Sequence, residues 1–333
     1  MKIAMIGAGA MGGVYGGLLG RAGFPVSLID CDPGRTDAIR RDGLRVEGVC
    51  GDFTIRLPAF PDAAGVDPVD LAIVFTDSNA TRAAAGVVAQ LLGPDGCVLT
   101  LQNGIGNVET LVENLGAGRV VAGVSMNSAA SPGPGRSAYT NRGMTSIGEL
   151  DGADTPRIRE IARMFNVAGL ETEIVGDPLA SIWSKFVLNC GINALTAVTQ
   201  LRSGDMFRVP EMNALQERVI DEILAVAQRK GVTLADPDPR RTIREHCRER
   251  FNKPSMMQHI EQGRRTEIDA INGALVREAR ALGLAVPCNE TLVAVVKGLE
   301  KSRRQLLHEP PVDYAQREAE ARAEVLAEQA RQT

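Results

Sequence analysis

The chain has 333 residues, enough for two domains that each have a hydrophobic core, and its 44% apolar and 23% charged residues are typical of a globular protein. The formal net charge of -4 at pH 7 gives no electrostatic reason to expect nucleic acid or an anionic membrane as a partner. Its six cysteines form no C-x-x-C pair and no apolar run reaches the roughly 18 residues of a membrane span, so we expect reduced thiols, no metal site, no membrane contact and a cytoplasmic location.

A glycine motif directly follows the first apolar strand, residues 1–6. Its pattern is G-x-G-x-x-G, and it opens a helix, which is the setting in which that pattern indicates a dinucleotide site. The first glycine permits a tight turn, the second lets a pyrophosphate approach the backbone, and the third lets the helix pack closely against the sheet. A purely structural turn is the alternative. The predicted cofactor contacts are Gly7, Ala8, Gly9, Ala10, Met11 and Gly12.

The first half of the chain alternates strands and helices, which is typical of a parallel sheet with crossover helices. The second strand ends at Asp30, about 20 residues after the glycines, where an acidic side chain can accept the ribose 2′-hydroxyl. Two hairpins are predicted to interrupt the alternation. One joins residues 44–46 to residues 53–57, and the other turns at residues 141–143, at the far end of the sheet.

Beyond about Gly176 the strand patterns stop, and helical periodicity with Gly or Pro punctuation takes over. The predicted fold is therefore α/β, with an N-terminal Rossmann-type dinucleotide-binding domain followed by an all-helical C-terminal domain. We place the Rossmann domain at residues 1–176, the helical substrate and catalytic domain at 177–310, and a helical tail at 311–333.

Three polar segments are candidates for chemistry. Asn103 follows a buried strand at the sheet edge where ligands bind in such folds, although Asn-Gly is also a common turn. Lys185, Asn189 and Asn193 recur every four residues, which places them on one helix face. A lysine in a dry site can act as a general acid or base, and amides beside it can hold a substrate; a solvent-facing stripe is the alternative.

The third segment lies in a helix predicted over residues 266–282. There Thr266 would cap the helix, and Glu267 and Asp269 would complement the positive end of its dipole. From the residues alone, this structural account of Glu267 and a catalytic one are both open.

Together these segments resemble the ketopantoate reductase (2-dehydropantoate 2-reductase) family. The resemblance implies a Rossmann domain and a helical domain with the site in the cleft between them, an architecture like that of 6-phosphogluconate dehydrogenase. The matching pieces occur in family order over about residues 1–305: the glycine motif, residues 102–104, the W-x-K-x-x-x-N-x-x-x-N run over 183–193, Ser255-Met256, and residues 266–273.

The resemblance also implies roles for individual residues. Lys185 would protonate the keto oxygen as hydride arrives from the nicotinamide, and Glu267 would lie near the cofactor and the new hydroxyl. The implied substrate contacts are Asn103, Asn189, Asn193, Ser203 and Ser255, and the implied cofactor contacts are Asn103, Ala129 and Glu267.

Three regions depart from the family pattern. Asp30 and Asp32 follow the second strand, where members that use NADPH often have a basic or small polar residue, and Asp77 stands where a lysine is common. His259 replaces a usual acidic residue. Because a carboxylate repels a 2′-phosphate and accepts a free 2′-hydroxyl, Asp30 and Asp77 favour NADH over NADPH as the NAD(P)H cofactor.

The resulting hypothesis is NAD(P)H-dependent reduction of a small branched 2-keto acid, by family default 2-dehydropantoate to (R)-pantoate. An NAD-dependent 2-hydroxyacid dehydrogenase with another substrate is one alternative. A non-catalytic nucleotide-sensing protein is an alternative of a different class, which the retained Lys185 and Glu267 speak against. A homodimer is expected because it is the commonest assembly of soluble enzymes.

Overall fold

The structure is a computed structural model that describes residues 1–332 of the chain. Its strands all lie between residues 3 and 174. They are β1 (Ile3–Ile6), β2 (Val26–Ile29), β3 (Leu44–Gly48), β4 (Phe53–Ile55), β5 (Ala59–Phe60), β6 (Val69–Val74), β7 (Leu92–Thr100), β8 (Val120–Ser125), β9 (Ser128–Gly133), β10 (Arg136–Asn141), β11 (Thr145–Glu149) and β12 (Thr172–Ile174).

Helices connect these strands and make up the second half, together with two short 3-10 segments at Ser78–Ala80 and Ala117–Arg119. The helices are α1 (Ala10–Arg21), α2 (Pro33–Asp42), α3 (Thr81–Leu91), α4 (Asn107–Leu115), α5 (Pro156–Val167), α6 (Pro178–Thr199), α7 (Ser203–Phe207), α8 (Pro210–Lys230), α9 (Pro239–Glu249), α10 (Ser255–Glu261), α11 (Asn272–Ala281), α12 (Pro287–His308) and α13 (Tyr314–Gln332).

An eight-stranded sheet carries the nucleotide half, in the order β12-β11-β8-β7-β6-β1-β2-β5. Neighbouring strands are parallel except for β8 and β11, which run antiparallel. Every residue of β1 is buried, because helices cover both faces of a doubly wound sheet. The mixed sheet and the helical second half confirm the predicted fold class.

A smaller sheet, ordered β4-β3-β10-β9, packs against α1. The predicted hairpin of residues 44–46 and 53–57 is present, with Leu44 opposite Ile55, but it belongs to this second sheet. The hairpin predicted to turn at residues 141–143 is wrong. There β10 pairs with β9 and β3, and β11 pairs with β8, so those residues pass from one sheet to the other.

The glycine in that connection explains the mistaken prediction. A Cβ on Gly143 would lie 2.4 Å from the Met126 carbonyl oxygen, and the Gly143 N–H donates to Asn127 Oδ1 at 2.9 Å. Gly143 therefore allows two chain segments to approach closely, and the sequence Asn-Arg-Gly does not form a hairpin turn here.

Helix α6 is the central element of the second half and joins it to the sheet. It begins at Pro178, where the Asp177 side chain accepts the Ala180 N–H at 2.9 Å. It packs against α8, α9, α10 and α12 on one side and against β8 and β11 on the other. The α6 side chain of Lys185 is thereby held at the carboxyl end of β8.

The helix predicted over residues 266–282 is shorter than expected, because α11 begins only at Asn272. Helix α13 is exposed along the side chains that the structure describes, and Thr333 of the predicted tail lies outside the described residues. Within residues 1–332, no helix combines the length and apolar character needed to cross a bilayer, and no three metal-ligating side chains come together.

Candidate active site

The glycine loop between β1 and α1 has the shape of a dinucleotide site. Gly7 has φ +92°, and a Cβ there would lie 2.9 Å from the Thr76 backbone nitrogen. A Cβ on Gly12 would lie 1.8 Å from the Gly7 carbonyl oxygen. A Cβ on Gly9 would meet no protein atom within 4 Å, so it would project into the space that a pyrophosphate uses at the start of α1. The loop therefore fits the predicted cofactor.

Asp30 supports this loop from the end of β2. Its carboxylate accepts the N–H of Ala8 at 2.8 Å and that of Asp32 at 3.0 Å, and it pairs with the Arg35 guanidinium at 2.6 Å. Asp30 is 7% exposed, so most of its contacts are with the protein. Arg35 was not predicted; its position five residues after Asp30, in the first turn of α2, is the signal that could have identified it.

Lys185 projects from α6 toward the end of β8. Its ammonium donates a hydrogen bond to the Ser125 carbonyl oxygen, with an Nζ to O distance of 2.6 Å. Burial lowers the pKa of Lys185 to about 8, while the charge of Glu267 acts in the opposite direction. The group therefore carries a proton at neutral pH and can release it readily, which suits a general acid.

Glu267 bridges the two halves of the molecule. Its carboxylate accepts hydrogen bonds from the Ser78 N–H at 3.2 Å, the Ser78 hydroxyl at 3.0 Å and the Asn103 amide at 3.1 Å. Burial raises the pKa of Glu267, and the nearby Asp77 carboxylate raises it further. The structure thus brings Asn103 and Glu267 together, and Ser78, which follows β6 at the same end of the sheet, joins them.

The expectation that Glu267 lies in the first turn of a helix capped by Thr266 is wrong. The Thr266 hydroxyl and N–H both donate to Glu300, at 2.5 and 2.6 Å, and Glu267 lies in a turn before α11. The carboxylate is therefore bonded to the Rossmann half, at the start of the 3-10 segment that leads into α3, and does not lie in the first turn of α11.

Asn189 and Asn193 continue the stripe that starts at Lys185. Neither side-chain amide has a hydrogen-bond partner within residues 1–332, although Asn193 is only 6% exposed. Ser255 begins α10, which packs against α6, and its hydroxyl is also without a partner in that range. Lys185, Asn189 and Ser255 are half-buried and Asn193 is buried, so the stripe is not a fully exposed helix face, and its unpartnered groups are available to a ligand.

The structure does not bring every predicted residue into this constellation. Ser203 is fully buried at the start of α7, and its hydroxyl donates to Asn252 Oδ1 at 3.1 Å. Ala129 lies on β9 of the small sheet, opposite Tyr139. Across the described residues, neither is hydrogen bonded to Lys185 or Glu267.

One residue that departs from the family pattern, His259, lies within electrostatic reach of another, Asp77. Burial lowers the pKa of His259 and the charge of Arg264 lowers it further, whereas the Asp77 carboxylate raises it. The buried Nδ1 atom of His259 has no hydrogen-bond partner within residues 1–332. Asp77 therefore lies within electrostatic reach of both Glu267 and His259.

Comparison with known proteins identifies the family to which this site belongs. A family model described as ketopantoate reductase PanE/ApbA matches residues 3–152, and the model of its C-terminal part matches residues 177–300. The chain belongs to the ketopantoate reductase family. Helix α13 lies outside both matched ranges.

Ketopantoate reductase relatives match over nearly their full length. The 2-dehydropantoate 2-reductase of Pyrococcus horikoshii is 36% identical over 304 residues, which cover 90% of this chain and 98% of the relative. That of Halobacterium salinarum is 33% identical over 299 residues, covering 89% and 98%.

Solved structures agree with these matches. A PanE/ApbA family ketopantoate reductase from Ralstonia eutropha JMP134 superimposes with a TM-score of 0.85 at 36% identity, covering 91% of this chain and 100% of that one. A ternary structure of D-mandelate dehydrogenase with NADH and anilino(oxo)acetate has the same TM-score and coverage at 27% identity. The chain is therefore an oxidoreductase that uses a nicotinamide dinucleotide.

Proposed function

We propose that this chain reduces a small branched 2-keto acid, by family default 2-dehydropantoate to (R)-pantoate. The observation that carries the proposal is the Lys185 ammonium, which is held by a backbone carbonyl, has a pKa of about 8, and lies on the same helix face as two unpartnered amides. A proton donor and hydrogen-bonding groups for a keto acid are thereby presented beside the sheet edge that carries the glycine loop.

The residues of the chain account for the proton in this reaction. When bound, the reduced nicotinamide supplies the hydride. As the carbonyl carbon accepts it, the C=O electron pair moves to the oxygen, and Lys185 Nζ transfers a proton to that oxygen. The ammonium also stabilises the negative charge that develops there. Glu267 acts as a countercharge that keeps Lys185 protonated at neutral pH.

Substrate contacts are proposed for the unpartnered groups. Asn189, Asn193 and Ser255 offer donors for a substrate carboxylate or hydroxyl, and Asn103 lies beside Glu267 at the proposed nicotinamide side. Roles for Ser203 and Ala129 rest on the family resemblance alone, because the Ser203 hydroxyl is already bonded to Asn252.

The cofactor proposal is NADH in preference to NADPH. Asp30 and Asp77 place carboxylates near the predicted ribose and cleft positions, where a 2′-phosphate would be repelled. Arg35 neutralises part of that charge through its ion pair with Asp30, so it weakens the preference.

A 2-hydroxyacid dehydrogenase with another substrate is the second candidate. It is favoured by the TM-score of 0.85 to D-mandelate dehydrogenase, a protein solved with NADH. In that case Lys185 accepts the proton in the oxidative direction.

Three further expectations from the sequence stay predictions. They are the domain limits at 176 and 310, the homodimer and the cytoplasmic location.

Initial rates with 2-dehydropantoate and a panel of 2-keto acids, each with NADH and NADPH, test the proposal. We expect turnover of 2-dehydropantoate, faster with NADH. Turnover only of other 2-keto acids, or only of 2-hydroxy acids with NAD, would replace pantoate synthesis by the second candidate. The variant Lys185→Ala distinguishes an enzyme from a non-catalytic nucleotide sensor. An enzyme should lose turnover in this variant and keep its affinity for the dinucleotide, whereas a sensor should still bind the nucleotide and signal.

A further inference from the structure

A buried group of polar side chains lies directly behind Lys185 and has no part in the reaction as proposed. It consists of Tyr15, Ser125, Asn127 and Thr145, here called the Tyr15 cluster, and each of these residues is at most 8% exposed. Polar groups are costly to bury unless they are paired, so a cluster of four at this place needs an explanation.

The hydroxyl of Tyr15 is the centre of the cluster. It donates to Ser125 Oγ at 2.9 Å, lies 2.6 Å from Thr145 Oγ1, and accepts from the Asn127 amide at 2.9 Å. Asn127 also donates to Ser125 Oγ through its side chain at 2.9 Å and its backbone N–H at 3.2 Å. The Ser125 side chain is therefore held from two directions.

Ser125 is the residue whose carbonyl oxygen accepts the Lys185 ammonium at 2.6 Å. It is the last residue of β8, and the peptide that carries this acceptor is also held by the Met126 N–H, which donates to the Met144 carbonyl oxygen at 2.9 Å. The cluster adds side-chain hydrogen bonds to Ser125 and so restrains the same residue further. Ser125 therefore connects the two groups: its side chain is hydrogen bonded to Tyr15 Oη, and its backbone carbonyl oxygen is hydrogen bonded to Lys185 Nζ.

Tyr15 itself is fixed independently of its hydroxyl. It lies on α1, the helix that begins at the glycine loop, and its ring packs against Phe75 and Phe165 with centroid distances of 4.7 and 5.4 Å. Removal of the hydroxyl alone should therefore leave the ring in place. Burial raises the pKa of Tyr15, so the hydroxyl stays protonated across the range in which Lys185 titrates.

We propose that Tyr15 is a positioning residue for Lys185: through Ser125 its hydroxyl holds the carbonyl that orients the ammonium, and it links the helix of the nucleotide loop to the proton donor. The expected change in kcat rests on the proposed function, whereas the expected change in the pKa of Lys185 rests on the contacts alone.

Two consequences follow from loosening the Ser125 carbonyl. The ammonium would be misplaced by a fraction of an ångström, which lowers kcat more than it raises the KM of the keto acid. The charged form of Lys185 would also lose part of its acceptor, which lowers the pKa of Lys185. Glu267 is the charged group that acts on Lys185 among the described residues, and these variants leave it untouched.

The variants are Tyr15→Phe and Ser125→Ala, with Tyr139→Phe as the matched control. Tyr139 is also buried and donates its hydroxyl to Asn127 Oδ1, but within residues 1–332 it makes no hydrogen bond with Ser125. Each variant is compared with the wild type for kcat, KM, dinucleotide Kd and melting temperature. A ¹³C NMR titration of lysine-labelled protein, with Lys185 assigned from Lys185→Ala, reports the pKa of Lys185 without any turnover.

We expect Tyr15→Phe and Ser125→Ala to lower kcat about tenfold, with KM and dinucleotide Kd within about threefold, and to lower the pKa of Lys185. Tyr139→Phe should lower the melting temperature by a similar amount yet change kcat less than about threefold. A wild-type kcat and Lys185 titration in Tyr15→Phe would overturn the inference. If no 2-keto acid is turned over by the wild type, the proposed function fails, and the NMR titration still decides the positioning role.

Discussion

The nucleotide half of the site is built from backbone, whereas the half that carries Lys185 is built from side chains. In the first, only glycine fits at Gly7 and Gly12, because a Cβ at either position would lie less than 3 Å from a backbone atom. Gly9, in contrast, leaves the start of α1 accessible. In the second, Lys185 and Glu267 depend on partners such as Ser125 and Ser78, which lie far away in sequence. A local pattern is thus enough to recognise the first half but not the second.

The largest expected effect comes from the side-chain half. Lys185→Ala should lower kcat for 2-keto acid reduction about 10³-fold, because it removes the general acid and the positive charge near the developing oxyanion. Dinucleotide Kd, measured by fluorescence titration, should stay within about twofold. Lys301→Ala on the exposed surface of α12 is the control and should behave as the wild type. Equal losses in both variants would refute the role of Lys185.

The backbone half can be tested by two alanine substitutions that differ only in what the new Cβ meets. Gly9→Ala should keep the melting temperature and weaken dinucleotide binding about tenfold or more, since its Cβ meets no protein atom. Gly12→Ala should destabilise the fold by about 3 kcal/mol, since its Cβ would overlap the Gly7 carbonyl. Thermal unfolding and cofactor titration measure both. Unchanged cofactor affinity in Gly9→Ala would break the proposed difference between the halves.

A smaller effect should appear in the pH dependence of Glu267→Gln. The Glu267 charge raises the pKa of Lys185, so its removal should move the alkaline decline of kcat to lower pH and reduce the rate severalfold at pH 8. The pH profile of kcat for both proteins measures this shift. A profile that moves to higher pH, or does not move, would show that Glu267 does not act on Lys185.

The smallest effect concerns cofactor choice. Arg35→Ala removes the cation paired with Asp30, so the uncovered carboxylate should repel a 2′-phosphate and raise the NADPH to NADH ratio of KM values a few-fold. KM values for both cofactors in the variant and in the wild type give the ratio. If NADPH binding is instead lost by an order of magnitude while NADH is unaffected, Arg35 binds the phosphate directly.

The contrast between local and distant interactions also explains what could be predicted from the sequence. The β1, glycine loop and α1 unit was predicted correctly because its pattern is contiguous. The turn at residues 141–143 was mispredicted because β10 pairs with strands on both sides of it in space, and a turn signal is the same in a hairpin and in a crossover.

The candidate site shows the same limit. Lys185, Asn189 and Asn193 could be predicted because helical spacing places them on one face. The surroundings of Glu267 could not, because its partners Ser78 and Asn103 lie 189 and 164 residues away in the chain. Tyr15 could not be recognised as a positioning residue, since nothing local in the sequence distinguishes a hydroxyl that is bonded to Ser125 from one that faces solvent.

The central claim is that Lys185 protonates the substrate, and the pH profile of kcat/KM in the wild type and in Lys185→Ala tests it most directly. For 2-dehydropantoate reduction with NADH, the wild-type kcat/KM should fall tenfold per pH unit above the pKa of about 8. The variant should be slow at every pH and lack that decline. A variant that keeps both the rate and the decline would contradict the account, because another group would then be the acid.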